Sequence, residues 1–295
     1  MSQDGVATAQ MPSANEEAIR AWDTVLYERF KQYRHIFVTA LAQFSEDAFR
    51  TDAPPTGARC LDIGCGFGDT TRRLAEIVGP DGSAHGVDSA PSFIADARAE
   101  AAGLGNVTFG VEDVQVATWE PEYDYVFARM GTMFFANPVA AMRAIRGSLK
   151  PGGKLCMIVW RRKVENQFAY EPELVVERFL HHPDETDADT CGPGPFSMGN
   201  ADTVTGIMKS AGFADTTLRR CDIDYLMGSD LDEAVEVVMA LGPAGELIRV
   251  NEEEGEAKRS EIAAALQELL SGWTKEDGTV IAGASAWIVT GLNPA

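Results

Sequence analysis

The stretch ARCLDIGCGFGDTTRRLAE, residues 58–76, constrains the fold more than any other part of this 295-residue sequence. A short apolar run ends in it, and Gly64, Gly66 and Gly68 follow within five positions. A helical pattern begins directly after them. Glycines at the carboxyl end of a strand let backbone N–H groups approach a ligand at the N-terminus of the next helix. The stretch therefore predicts a parallel sheet with a ligand site at the edge where its strands end.

Short apolar runs alternate with helical patterns from this stretch up to residue 160, which is typical of parallel βαβ units. Pro91 and Pro138 stand at positions where a helix begins, and Gly79 stands where one ends. We therefore predict an α/β fold with a doubly wound, mostly parallel sheet. The predicted strands are RCLDI, SAHGVD, NVTFG, YDYVFARM and KLCMIVW, and the predicted helices cover 69–78, 91–102 and 138–149.

The N-terminal region is predicted to have three parts. Residues 1–13 are small and polar and predict a disordered tail. Residues 14–50 carry apolar side chains at helical spacing, rich in aromatics, and predict a helical lid. The segment 51–58 predicts a linker, since Pro54 and Pro55 exclude a helix and a central strand.

The main domain is predicted to cover residues 51–295, with cap insertions near 161–200 and 230–272. The first insertion contains HHPDETDADTCGPGPF, which is too polar and too rich in proline and glycine for a buried strand. The second is largely helical. A helix at 201–211 and strands near 215–226 and 283–292 are predicted around them.

Charge and sequence composition indicate which classes of partner and which cellular compartment to expect. The formal net charge of −20 gives a surface that repels nucleic acid. The N-terminus lacks a signal-peptide pattern, and no apolar run reaches the ~18 residues of a membrane helix, so we expect a cytoplasmic protein with no membrane partner. The five cysteines are scattered and form no C-x-x-C pair, which favours reduced thiols.

The charges around the glycines indicate which ligand the site takes. A dinucleotide fingerprint is G-x-G-x-x-G, whereas the third glycine here comes one position early and Asp69 follows it. A pyrophosphate ~5 Å from Asp69 or Asp62 would be repelled by roughly 3 kcal/mol per charge pair at an effective dielectric constant of 20. S-adenosylmethionine (SAM) has no phosphate and carries a sulfonium and an ammonium, so it fits better.

Two further acids follow predicted strands. Asp88 ends the second strand, about 20 residues after the glycines, where the equivalent acid of dinucleotide folds binds ribose hydroxyls. Asp113 follows the third strand and is placed to accept from the adenine amino group, while Val114 donates its backbone N–H to the ring. The alternatives are that Asp88 is a helix cap and that Asp113 is an exposed loop acid.

Five motifs together give the sequence a family resemblance. LDIGCGFG, GVDSAP, VEDVQ, YDYVFARMGTMFF and LKPGGKL occur in this order over residues 59–160. In this respect the chain resembles the class I SAM-dependent methyltransferases, especially the small-molecule branch with the ubiquinone/menaquinone C-methyltransferases. The resemblance implies a seven-stranded sheet in which one of the last two strands is antiparallel.

The resemblance also implies a role for each cofactor-binding residue. Asp62 and the glycines would hold the methionine end, and Arg129 would lie beside it. In the family the side chain at that position is often small or polar, so the resemblance implies a cofactor contact only for the backbone of Arg129. For the Arg129 side chain two alternatives stay open, a contact with the ligand and an ion pair at the edge of the core. The implied cofactor-binding set is Asp62, Gly64, Gly66, Gly68, Asp88, Ser89, Asp113, Val114 and Arg129.

The expected function is methyl transfer from SAM to an O, N or C atom of a small apolar or aromatic molecule. No catalytic residue is assigned, because aligning the reactants in a dry pocket supplies most of the acceleration. His35 is considered as a base and the other histidines as structural or solvated. No metal site is predicted. A nicotinamide-dependent oxidoreductase and a SAM-binding module without activity are the alternatives, and the oligomeric state stays open.

Overall fold

The computed structural model describes residues 14–182 and 193–294. The predicted tail at 1–13 lies outside these residues, as does the centre of the first cap insertion. The fold is built on one seven-stranded sheet with the strand order β3-β2-β1-β4-β5-β7-β6. Its strands are β1 Arg59–Ile63, β2 Ser83–Asp88, β3 Val107–Val111, β4 Tyr123–Arg129, β5 Leu149–Trp160, β6 Ala214–Gly228 and β7 Val280–Leu292.

The first five strands are parallel, and β7 runs antiparallel to both of its neighbours. The strand order reverses between β1 and β4. Because crossover connections are right-handed, this reversal places the connecting helices on opposite faces of the sheet and opens a crevice at the strand ends. The predicted doubly wound, mostly parallel sheet with one antiparallel strand is confirmed.

Twelve α-helices lie in the described residues, and most predicted boundaries hold within two residues. They are α1 Ala14–Ala21, α2 Tyr27–Gln32, α3 Arg34–Asp52, α4 Asp69–Val78, α5 Pro91–Glu100, α6 Pro138–Ser148, α7 Gln167–Val176, α8 Ala201–Ala211, α9 Leu231–Ala240, α10 Gly242–Val250, α11 Glu252–Ala257 and α12 Arg259–Ser271. A π-helical turn, Trp22–Leu26, joins α1 to α2, and short 3₁₀ turns occupy Thr132–Phe134 and Lys163–Glu165.

Strand β5 begins five residues before its predicted start. Leu149 already pairs with Tyr123, and a register irregularity follows before Lys154 pairs with Tyr125. The proline and two glycines of LKPGG are typical of a turn after a helix. Proline tolerates extended backbone, however, and Gly152 donates its N–H to Asn293 O at 2.8 Å, which holds this segment beside the end of β7.

The predicted lid at 14–50 divides at Tyr33. Helix α3 packs against β6 and β5, and its apolar face is buried, with Phe44 fully inaccessible to solvent. The Tyr125 hydroxyl donates to Asp52 O at 2.7 Å at the end of α3. Helix α3 therefore belongs to the core, it runs two residues into the predicted linker, and only α1, the π turn and α2 remain as candidate lid.

Helices α9–α12 lie between β6 and β7 in the chain and cover the predicted second cap insertion. Helix α9 packs on β6 and on α12, and α7 packs on α10, α12 and β7. Because β5 and β6 are each antiparallel to β7, β6 ends at the same edge of the sheet as the parallel strands, and α9 follows it there. Within the described ranges, no helix combines the length and the apolar character that a membrane span requires.

Candidate functional site

The glycine-rich turn has a backbone that only glycine adopts without strain. Gly64, Gly66 and Gly68 have φ of 66°, 52° and 75°. A Cβ on Gly64 would lie 3.2 Å from Gly131 Cα, and one on Gly68 would lie 2.7 Å from the ring of Phe109. The turn therefore presents bare backbone at the end of β1.

Asp62 lies directly beneath this turn and is buried. Its Oδ2 accepts from the Thr70 and Thr71 hydroxyls at 2.7 and 2.6 Å, whereas its Oδ1 is buried without a hydrogen-bond partner in the described part of the chain. Burial raises the pKa of Asp62 to about 7, against the lowering effect of the two threonine hydroxyls. The site thus contains a buried acceptor atom that suits a cationic donor.

Asp88 ends β2 beside the turn and binds it. Its Oδ2 accepts from Gly66 N and its Oδ1 from Ala90 N, both at 3.0 Å. The bond to Ala90 is the local capping bond that the alternative interpretation of Asp88 requires. The bond to Gly66, 22 residues away, is not local, so Asp88 also fixes the turn against β2. Burial raises the pKa of Asp88 above its ordinary value.

The remaining predicted cofactor residues lie at neighbouring strand ends. Ser89 follows Asp88 and is half-buried. Asp113 comes two residues after Val111, which pairs with Asp88 in the sheet, and its Oδ1 accepts from Gln115 N at 3.0 Å. Val114 is buried. The ends of β1, β2 and β3 therefore bring this predicted set to one edge.

Arg129 ends β4 on the other side of the crevice. Its Nη2 lies 2.7 Å from Asp69 Oδ2, its Nη1 donates to Ser45 Oγ at 3.2 Å, and its side chain is only 10% exposed. The ion-pair interpretation is therefore realised in this structure. A cofactor role for the Arg129 backbone stays a prediction.

Sequence reasoning missed the turn after β4. Met130 has φ of 57°, which is unusual for a residue with a side chain and costs of order 1–3 kcal/mol, a kind of strain that clusters at functional sites. Gly131 follows and makes the close backbone contact with Gly64. The available signal was the pair Met130-Gly131 directly after a buried strand.

Three aromatic side chains from the N-terminal segment cover the same edge. Trp22, Tyr27 and Phe30 pack on a cluster formed by Phe67 of the glycine-rich turn, Ala90 and Phe93. A hydrogen bond between side chain and backbone reinforces this cover, because Asp23 Oδ1 accepts from Ser92 N at 2.7 Å. The segment Trp22–Phe30 therefore rests directly on the loops that carry the predicted cofactor residues.

Three histidines bond to side chains other than the predicted cofactor residues. His35 is 60% exposed and contacts Glu233 at 2.8 Å, which gives no support to a role as base. His85 contacts Thr108 within the sheet, and His182 contacts Glu177 after α7. Glu173, Glu177 and His182 could together bind a metal ion, although Lys163 already lies 2.6 Å from Glu173. That no metal is needed stays a prediction.

Comparison with known families identifies the class. A model described as "Methyltransferase domain" matches residues 55–212, slightly more than half of the chain. The chain belongs to this family. The matched range begins before β1 and ends with α8, so the methyltransferase domain contains the glycine-rich turn and each predicted cofactor residue. The predicted resemblance is confirmed at this level.

Curated relatives share part of the methyltransferase domain. Aklanonic acid methyltransferase DauC of Streptomyces sp. (strain C5) is 37% identical over 105 residues, 35% of this chain and 48% of that protein. Demethylmenaquinone methyltransferase of Geobacillus kaustophilus is 30% identical over 114 residues, 38% of this chain and 49% of that protein. The chain spans about half the length of these relatives.

A solved structure extends the comparison to the fold. Phosphoethanolamine N-methyltransferase 2 of Haemonchus contortus, in complex with S-adenosyl-L-methionine, superposes with a TM-score of 0.57 over 94% of this chain and 60% of that chain. The sequence identity is 20%, so the likeness supports the fold of the methyltransferase domain.

Proposed function

We propose that the protein transfers the methyl group of SAM to a small apolar or aromatic molecule. The observation that carries this proposal is the buried Oδ1 of Asp62, which has no hydrogen-bond partner among residues 14–182 and 193–294 and lies beneath a cradle of bare glycine backbone. A buried acceptor without a partner costs free energy until a donor reaches it. The ammonium group of the SAM methionine end is such a donor.

The other residues at the edge fit the remaining parts of SAM. We assign Asp88, with Ser89 beside it, to the ribose hydroxyls, and Asp113 with the Val114 N–H to the adenine. The glycine spacing also argues against a dinucleotide, since the third glycine comes one position early for G-x-G-x-x-G. The relatives named for aklanonic acid and demethylmenaquinone support a small-molecule acceptor.

A cluster of packed aromatic rings lies at the end of β5. We define this aromatic cluster by Phe44, Trp160, Phe168 and Tyr225, from α3, β5, α7 and β6. The Trp160 ring lies 5.5 Å from Phe44 and 4.9 Å from Phe168, and Phe168 stacks on Tyr225 at 4.5 Å. Because Ile158 pairs with Arg129, Trp160 stands two residues beyond the end of β4.

The chain's contribution to the reaction is alignment and the exclusion of water. SAM supplies an activated methyl group, and its positive charge disappears as the methyl group leaves. The glycine cradle and the strained turn at Met130 position the methionine end. The segment Ala14–Gln32 closes the edge from solvent. No oxyanion hole is required for a leaving group that becomes neutral.

The proposal is tested by binding and product formation. Titration calorimetry of the purified protein should show binding of SAM and S-adenosylhomocysteine and no binding of NAD. Incubation with SAM and a metabolite extract should then produce S-adenosylhomocysteine. Binding without any product would favour a SAM-binding module without activity. Binding of NAD in place of SAM would contradict the proposal, and it would revive the oxidoreductase alternative, which the family match does not support.

A proton release on SAM binding is expected from Asp62. Its carboxyl has a pKa of about 7, so it is largely protonated at pH 6. An ammonium beside Oδ1 favours the carboxylate and lowers the pKa, and the proton then leaves to the buffer. Calorimetry at pH 6 in buffers of different ionisation enthalpy should give heats that vary with the buffer. Asp62→Asn should reduce this variation, whereas a wild-type heat independent of the buffer would contradict the assignment.

Three further statements stay predictions from the sequence. A cytoplasmic location and the absence of a membrane partner are predicted from the sequence patterns described above, and the absence of a nucleic-acid partner is predicted from the net charge. The domain assignment is proposed with one change, in which the lid is confined to Ala14–Gln32 and α3 joins the main domain.

A further inference from the structure

We propose that Asp23, on the π turn of the N-terminal segment, is a positioning residue for the cofactor. It supplies the side-chain N-cap that the sequence of helix α5 lacks. Closure of the segment Ala14–Gln32 and ordering of the loop 88–90 thereby become coupled. This inference rests on the proposed function, because the loop is the one assigned to the ribose of SAM.

The first observation is that the N-cap residue of helix α5 provides no side-chain cap. This residue is Ala90, which has the extended backbone of an N-cap (φ −96°, ψ 111°) but a side chain without an oxygen. Pro91 follows and has no N–H, so Ser92 carries the first helical N–H that needs an acceptor. The two carboxylate oxygens of Asp88 bond to Gly66 N and Ala90 N instead. The start of α5 therefore depends on an acceptor from another part of the chain.

The second observation is that Asp23 provides this acceptor. Its Oδ1 accepts from Ser92 N at 2.7 Å, and Ser92 Oγ donates to Asp23 O at 3.4 Å. A carboxylate at this position makes the hydrogen bond of an N-cap and interacts favourably with the helix dipole. The pKa of Asp88 is raised first by burial and also by the charge of Asp23. The cap therefore lies near the proposed ribose acceptor.

The third observation is that the N-terminal segment follows α5 with matching spacing. Asp23, Tyr27 and Lys31 are four residues apart, and so are their partners Ser92 and Asp96. The Tyr27 hydroxyl donates to Asp96 Oδ2 at 2.9 Å, and Lys31 Nζ lies 3.0 Å from the same oxygen. The segment and α5 thus meet along one line of contacts. The contact made by Asp23 is the one at the end of α5 that follows the loop 88–90.

These contacts couple closure of the segment to the state of the loop. In an open segment the N–H of Ser92 loses its acceptor, and the first turn of α5 frays next to Asp88. A cofactor that orders the loop also restores the position at which Asp23 binds. By thermodynamic linkage, SAM then favours closure by the same factor by which closure favours SAM. The apparent affinity for SAM therefore depends on the fraction of molecules that are closed and capped.

The test compares variants of the full chain by calorimetry with S-adenosylhomocysteine at pH 7.5. Asp23→Ala should raise Kd about 3–30-fold, the range expected for loss of one N-cap. Asp23→Asn should bind within about twofold of the wild type, because an amide oxygen caps a helix as well as a carboxylate does. Glu28→Ala is the matched control, since it removes an exposed carboxylate from α2 in the same segment and should leave Kd unchanged.

A substitution at a second site tests capping directly. Ala90→Ser places a hydroxyl at the N-cap position, where the extended backbone already suits it. The double variant Asp23→Ala/Ala90→Ser should regain most of the affinity that Asp23→Ala loses. Ala90 is buried beside Phe67 and Phe93, so Ala90→Ser alone is the control for tolerance at this site. If that variant itself weakens binding, the comparison of Asp23→Asn with Asp23→Ala decides.

Hydrogen exchange measures the coupling separately from stability. In the wild type, S-adenosylhomocysteine should slow amide exchange both in residues 14–32 and in residues 88–96. In Asp23→Ala, saturating ligand should still protect residues 88–96, whereas the protection of residues 14–32 should be largely lost. The thermal unfolding midpoint without ligand should fall by no more than about 4 °C in Asp23→Ala, as expected for one cap in a chain of this size.

Four results would overturn the proposal. They are an unchanged Kd in Asp23→Ala, equal losses in Asp23→Ala and Asp23→Asn, an equal loss in Glu28→Ala, and ligand protection of residues 14–32 that persists in Asp23→Ala. The second result would show that Asp23 acts by its charge and not as a cap. Failure of the wild-type protein to bind SAM and S-adenosylhomocysteine would instead remove the proposed function. The two proposals therefore fail on different measurements.

Discussion

A protein lacking residues 1–32 is expected to keep its sheet folded and to lose methyl transfer. The removed part contains α1, the π turn and α2, whose rings pack on Phe67, Ala90 and Phe93. Without Trp22, Tyr27 and Phe30 the edge that carries the predicted cofactor residues opens to water. We expect turnover below about 1% of the wild-type rate, a loss of at least about 2.7 kcal/mol in transition-state stabilisation.

Circular dichroism and S-adenosylhomocysteine formation measure the two parts of this expectation. A longer truncation, through Asp52, is the contrasting variant. It removes α3 with its fully buried Phe44, and since losing one buried aromatic ring alone costs about 3–5 kcal/mol, this variant should not fold. If the shorter truncation folds and keeps wild-type turnover, the segment Ala14–Gln32 contributes only to packing and not to catalysis.

Two point variants refine the same experiment. Trp22→Ala removes a ring that lies 5.0 Å from Phe134 and 5.4 Å from Phe30, and it should lower turnover without unfolding the sheet. Val25→Ala, in the same π turn, changes a side chain that is 53% exposed and should have no effect. Equal effects of both variants would indicate that the turn matters only for its backbone.

The division of the N-terminal region at Tyr33 could not be predicted from the sequence alone. Apolar residues recur at helical spacing through Phe44, and no breaker separates a lid from a core helix before Pro54. The difference arises from tertiary contacts, because α3 meets β6, which comes some 160 residues later in the chain. Helical periodicity predicts a buried stripe, but it does not say which element buries it.

The crevice, in contrast, was largely predictable, because short-range geometry determines it. Positive φ at Gly64, Gly66 and Gly68 and a strand directly before them follow from local sequence, and β1, β2 and α4 have the predicted bounds. Adjacent parallel strands then bring Asp62 and Asp88 to one edge without further information. That convergence is why the predicted cofactor set lies together.

The aromatic cluster and the contact of Asp23 cannot be predicted from the sequence, for the opposite reason. Each ring of the cluster comes from a different element, and the rings meet only after β6 and α7 have packed. The bond from Ser92 to Asp23 joins the π turn to the start of α5, 69 residues later in the chain. Long-range packing leaves no signal in local spacing.

Asp88→Ala is expected to weaken SAM binding by about 1.5–3 kcal/mol, the loss for hydrogen bonds to a charged group, or roughly 10–150-fold in Kd. Both ribose hydroxyls would lose their acceptor. Asp81→Ala is the matched control, since it removes an exposed carboxylate from the turn before β2. Calorimetric Kd values for the two variants test this, and an unchanged Kd for Asp88→Ala would refute the ribose assignment.

The bonds from Asp88 to Gly66 N and Ala90 N complicate that result, because their loss could distort the turn and weaken SAM binding indirectly. A double-mutant cycle with S-adenosylhomocysteine and its 2′-deoxy analogue separates the two causes. If Asp88 accepts from the 2′-hydroxyl, deleting that hydroxyl should cost the wild-type protein at least about tenfold in Kd and should cost Asp88→Ala almost nothing. If distortion of the turn is the cause, removal of the hydroxyl should raise Kd by the same factor in both proteins. Asp88 would then act on the glycine-rich turn rather than on the ribose.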